Sequence, residues 1–130
     1  MIELDYIARK ARAAREFEHQ VGPATIRLRV PTKLESSIAY AESAGGRKYA
    51  DPGVSLRFHR ALLLLAVCGW SGVTVQHMLP SHPTPDAFDF ETGAIALLLD
   101  AQPEWETELL HALLHRLSYL QTAEEAAAKN

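Results

Sequence analysis

The sequence predicts a mainly helical α+β domain with a small N-terminal β-hairpin. Three observations carry that prediction. Residues 16–30 alternate apolar and polar side chains on either side of Gly22-Pro23, as a hairpin does. Residues 58–73 contain the most apolar run in the chain, and Leu62 to Val67 carries no polar side chain. Leu109, Leu113, Leu117 and Leu120 recur at helical spacing near the end, with Trp105 and Leu110 beside them.

The elements follow in order. Residues 2–15 read as a helix, with Ile2, Tyr6, Ile7 and Ala11 on a rough apolar stripe and Arg9, Lys10, Arg12 and Arg15 as a basic flank. In the hairpin, Phe17, His19 and Val21 lie on one side of the first strand, and Ile26, Leu28 and Val30 on one side of the second. Thr32 with Glu35 three residues on is a capping box, and it opens a helix from Lys33 that stops at Gly45-Gly46. Residues 45–53 form a connector. Its glycines make no phosphate loop, because no Gly-Lys-Ser/Thr follows.

A central helix begins between Gly53 and Leu56 and ends near Gly69. Its all-round apolarity assigns it to the middle of the core, with Cys68 packed on its interior. Val73-Thr74-Val75 reads as a short extended piece. Residues 76–85 read as loop, because Pro80, Pro83 and Pro85 exclude regular structure. A helix from about Thr92 to Asp100 follows Phe88-Asp89-Phe90. Pro103 then suits the first position of a last helix, whose Glu104, Glu106 and Glu108 favour its positive end. From Thr122 to Asn130 nothing large is left to pack, so this tail is expected to fray.

Size and charge narrow the function classes. A chain of 130 residues, 48% apolar and 22% charged, makes one domain with a core of its own. A net charge of −3 supplies no drive toward nucleic acid. One cysteine excludes a disulfide framework within the chain. Met1 to Asp5 is too acidic for a secretory leader, and the uncharged run from Ala61 to Pro85 is too broken by Gly, Ser, His and Pro to span a membrane. These features lead to the expectation of a soluble cytoplasmic protein without a membrane partner.

Few residues suggest chemistry. Glu108 and His111 have the Glu-x-x-His spacing of dinuclear carboxylate sites, His111 and His115 could chelate a metal at i and i+4, and Glu16 to His19 repeats the first pattern. At about 100° per residue, however, Glu104, Glu108, His111 and His115 fall opposite the leucine stripe, on the solvent side. No metal or other cofactor is therefore expected. Ser71 in Gly-Trp-Ser-Gly resembles half of a nucleophile elbow, but no strand is evident before it. The expectation is a protein that is not an enzyme. Trp70, Phe88 and Phe90 flank polar or proline-rich loops, where an aromatic can serve a partner as well as the core.

The order of these pieces resembles a family. An extended segment ends Ile26-Arg-Leu-Arg-Val-Pro-Thr32, an apolar stretch closes on Trp70-Ser-Gly-Val73, and Asp100-Ala-Gln-Pro-Glu-Trp105 leads into a leucine helix. This arrangement, over roughly residues 17–120, resembles the tail assembly chaperones of long-tailed bacteriophages. The resemblance implies a non-enzymatic holdase in the host cytoplasm, absent from the mature virion. It would coat the tape measure protein and help bring tail tube protein onto it. The expected partner surface is a groove bounded by Trp70, Val73, Phe88 and Phe90. Homo-oligomers are expected through the basic flank (Arg9, Lys10, Arg12, Arg15) meeting Glu104, Glu106 and Glu108 of another copy. The proline-rich stretch from Pro80 to Pro85 departs from the family pattern. The alternatives are a tail completion or head–tail joining protein, and a metal protein using His111 and His115.

Overall fold

A computed structural model describes residues 1–46, 51 and 53–128, apart from the side chains of 119 and 121–124. Helix α1 (Leu4–Ala13) leads into strands β1 (Glu16–Val21) and β2 (Ala24–Arg29), followed by α2 (Lys33–Ala44) and α3 (Val54–Ala66). Strand β3 (Val67–Ser71), α4 (Val75–Met78), a 3-10 turn (Thr92–Ala94), α5 (Ile95–Ala101) and α6 (Pro103–Ala128) complete the chain. The fold is mainly helical with a small antiparallel sheet of order β1-β2-β3.

The hairpin forms where alternation places it. Gly22, at φ 54°, is the first central residue of a two-residue turn that pairs Val21 with Ala24. A glycine there lets the turn follow the twist of the strands. Ile26, Leu28 and Val30 are buried, as their spacing requires. Helix α3 contributes Leu62, Leu63 and Ala66 to the same core, α5 contributes Ile95, Leu98 and Leu99, and α6 contributes Leu109 and Leu113. Burying each of these large side chains contributes about 1.5–3 kcal/mol relative to leaving it in water.

Helix α2 starts at its capping box. Glu35 N–H donates to Thr32 Oγ1 at 3.1 Å, and Thr32 N–H donates to Glu35 Oε1 at 3.0 Å. Arg29 also donates through both terminal nitrogens to the Glu35 carboxylate, each at 2.9 Å. That charged bond, helped by Thr32, pulls the Glu35 carboxyl down to about 2 against the burial that opposes it. An ordinary glutamate titrates near 4.3. The folded value is the lower one, so the stabilisation is complete above the ordinary value and disappears as pH falls through about 2. The pair is partly solvated, so about 1–2 kcal/mol is the expected size. Urea unfolding at pH 6 and pH 2.5 checks this: Glu35→Gln should be less stable than wild type at pH 6 and close to it at pH 2.5.

Several expectations are corrected. The central helix ends at Ala66, and Val67 to Ser71 form a third strand beside β2. Cys68 is therefore a half-buried strand residue, with Sγ 3.5 Å from Arg27 O, and not a helix residue. The central helix is not covered all round, because Leu56, Leu64 and Leu65 remain exposed. Thr74 is extended and bridges Ala87, but Val75 begins a helical turn. Thr74 N–H donates to His77 Nδ1 at 2.9 Å across that turn, and the prolines begin only after it. Residues 47–50 and 52 of the expected connector, and 129–130 of the expected tail, lie outside the described residues.

Candidate functional site: an aromatic lid and two apolar grooves

Strand β3 and the loop after α4 position the expected aromatic site. Trp70 pairs with Ile26 across the sheet, so it stands over the core. Its indole Nε1 donates to Phe88 O at 2.9 Å, and its ring meets Phe90 edge-on, 4.9 Å between centroids at 82°. Phe88 N–H donates to Val73 O at 2.9 Å. The four residues thus come together, but not as an open apolar groove. Val73 is 1% exposed and cannot line a surface. Trp70 and Phe90 pack against the core as a lid. Trp70 and Phe90 line a cavity of about 320 Å³, but they share it with the polar Glu18, Thr25, Arg27 and Ser71, and with Cys68 and Gly69.

The residues expected to join copies divide into two groups. Arg9, Lys10 and Arg12 are exposed on α1, and Glu104 and Glu108 are exposed at the start of α6. Arg15 and Glu106 are occupied within the chain. Arg15 donates to Val30 O and to Pro31 O, both at 2.9 Å. Glu106 accepts from Arg60, whose Nη2 lies 2.9 Å from Oε1, and Arg60 also reaches Asp100 at 2.9 Å. These carboxylates hold the Arg60 guanidinium more firmly protonated than usual, against the cost of its partial burial.

Two larger apolar grooves flank α3. One, about 490 Å³, lies between α3 and α6 and is lined by Leu56, Ala61, Leu63, Leu64 and Leu110, with Arg57, His59, Arg60 and Glu106 around it. The other, about 440 Å³, lies between α2 and α3 and is lined by Ile38, Ala39, Ala61, Leu64 and Leu65, with Glu35 and Glu42 at its rim. The sequence reading passed over both, because an all-apolar helix was assigned to the core. A signal was present: at about 100° per residue, Leu56 and Leu64 share a face with Arg57 and Arg60, which marks that face as solvent-side.

The histidines also meet. His19 of β1 and His111 and His115 of α6 line one shallow groove with Glu18, Glu108 and Arg116, and Arg116 lies 5.0 Å from the Phe17 ring centroid. His19 therefore reaches the same surface as Glu108 and His111, across a β1–α6 contact that the sequence does not foretell, while Glu16 does not line it. Among the described residues, no three or more His, Cys, Asp or Glu side chains are arranged to hold a metal ion. The strand thought missing before Ser71 is present as β3, yet Ser71 makes no side-chain hydrogen bond among the described residues. No described helix is long and apolar enough to cross a membrane.

Comparison of the chain with protein-family models, curated proteins and solved structures returned no match.

Proposed function

We propose that this chain is a non-enzymatic tail assembly chaperone. It binds the helical tape measure protein in the host cytoplasm, keeps it soluble, and brings tail tube protein onto it. The reading rests on the motif order from Ile26 to Trp105, and one structural observation supports it further. The α3–α6 groove is open, apolar and about 490 Å³ in volume, the form that receives the apolar face of an amphipathic helix. Leu56, 76% exposed, stands on its wall, and Arg57 lines it beside the Arg60–Glu106 pair, which places a cation where it can meet acidic residues flanking such a face. On this reading the partner meets α3 in place of the Trp70 lid.

Co-expression with a long coiled-coil tape measure protein tests the proposal. Wild type should keep that protein soluble and co-purify with it. Leu56→Glu places a charge in the groove at a position that is exposed in the free chain and lies outside the α2–α3 groove, so folding should persist while the complex is lost. Unchanged solubility of the coiled-coil protein with and without wild-type chain would remove the chaperone reading. Recovery of the chain from purified virions would favour a tail completion or joining role.

A further inference from the structure

The end of α1 and the end of β2 bring arginines together. Arg15 N–H donates to Arg12 O at 3.1 Å, so the helical turn carries on past Ala13 and sets Arg12 and Arg15, three residues apart, on the same side. Arg29 arrives from β2. Its neighbours Leu28 and Val30 are buried, so alternation turns Arg29 to the outer face of the sheet. Val30 N–H donates to Arg15 O at 2.9 Å, which holds the end of β2 beside the end of α1. The three arginines line one cavity of about 450 Å³, together with Ala11 and Thr32.

Charge in this cavity is one-sided. Among the described residues, no carboxylate lines it. Arg29 is matched by Glu35 through two bonds at 2.9 Å, and Glu16 lies opposite Arg29 across the hairpin, outside the cavity. The Arg12 side chain makes no hydrogen bond or ion pair among the described residues. Guanidinium groups gathered round one space repel each other, and an anion between them replaces that repulsion with attraction.

Most of the cavity is set before any ligand arrives. Arg15 is fixed by Val30 O and Pro31 O, and Arg29 by Glu35, so the cost of ordering a side chain falls mainly on Arg12. Thr32 Oγ1 accepts from Glu35 N–H, and its own hydrogen can still be given to an acceptor. The lining also selects the ligand class. Planar guanidinium forks match the oxygens of a phosphate. Apart from Ala11 the lining is polar, and it holds no aromatic ring on which a base could stack.

We propose that Arg12, Arg15, Arg29 and Thr32 form a binding site for a phosphate-class oxyanion, either inorganic phosphate or the phosphoryl group of a small ester. None of the residues of α1 is buried, so an anion held by Arg12 ties that helix to the corner between β2 and α2. The site lies apart from the α3–α6 groove and stands whatever that groove binds.

Calorimetric titration and thermal unfolding of the full chain with inorganic phosphate, against sodium chloride at equal ionic strength, test this. Wild type should bind phosphate saturably, and its thermal midpoint should rise with phosphate more than with chloride. Glycerol phosphate should bind comparably, because nothing in the lining grips the organic part; binding of either supports the site, and the tighter one identifies the source. Arg12→Gln removes the arginine without a partner in the chain, so the midpoint without phosphate should match wild type while the dissociation constant rises about tenfold or more. Arg12→Lys keeps the charge without the fork and should recover part of the affinity. Trypsin cleavage after Arg9 and Lys10, both exposed on α1, should slow with phosphate in wild type and not in Arg12→Gln. Absence of both binding heat and a phosphate-specific midpoint rise would overturn the proposal. So would an equal rise in wild type and Arg12→Gln, which is the effect of phosphate excluded from the surface.

Discussion

Trp70→Ala is expected to destabilise the fold by about 3–5 kcal/mol, the range for truncating a packed tryptophan. Three contacts disappear together. The indole leaves Ile26, its cross-strand neighbour; Phe90 loses an edge-on ring at 4.9 Å; and Phe88 O loses its donor. A loss of that size is a large share of the 5–15 kcal/mol typical of a whole domain. Urea unfolding followed by far-ultraviolet circular dichroism measures it without relying on the tryptophan that is removed. Trp70→Phe separates the parts, because it keeps an apolar ring and drops the hydrogen bond, at about 1 kcal/mol. The same titrations distinguish lid from partner anchor. A lid loses partner binding only as the folded fraction falls. An anchor loses it while the chain is still folded, and an unchanged midpoint would return Trp70 to the partner surface.

The features legible in the sequence are those with local causes. Thr32 and Glu35 satisfy each other within one helical turn, so the start of α2 needs no distant information. Gly45, at φ 54°, ends that helix for an equally local reason. The hairpin follows from alternation around Gly22, and the buried Leu109 and Leu113 follow from helical spacing. Strand β3 has no such local cause. It exists because β2, far earlier in the chain, offers an edge, and Arg27 donates to Cys68 O across that pairing. Within the run from Leu62 to Trp70, apolarity is continuous, so periodicity marks no boundary between helix and strand. The same continuity hid the exposed side of α3. Amphipathicity showed that α1 has an apolar face, but a pattern on one helix says nothing about what covers it.

Gly72→Ala is expected to cost roughly 2–5 kcal/mol, from two sources that act together. Gly72 sits at φ 76°, where a side chain costs about 1–2 kcal/mol on its own. An added Cβ would also lie 2.6 Å from Pro23 O, a backbone atom of the β1–β2 turn that cannot rotate aside. Either the turn or the end of β3 must move, and both carry core residues: Ala24 on one side and Val73 on the other are buried. Ser71→Ala is the control, because Ser71 is exposed one position earlier and should change stability by less than about 0.5 kcal/mol. Unfolding midpoints of the two variants under identical conditions give the comparison. A small effect at Gly72 would mean that the hairpin turn yields easily, contrary to its close approach to β3. A large one explains the Trp-Ser-Gly-Val segment in physical terms. Trp70 closes the core, Gly72 passes under the hairpin turn where no side chain fits, and Val73 re-enters the core. The motif that first suggested a partner site is then required by the fold itself, whatever the chain binds. The exposed leucines of α3, which no such packing role explains, are the surface left for a partner.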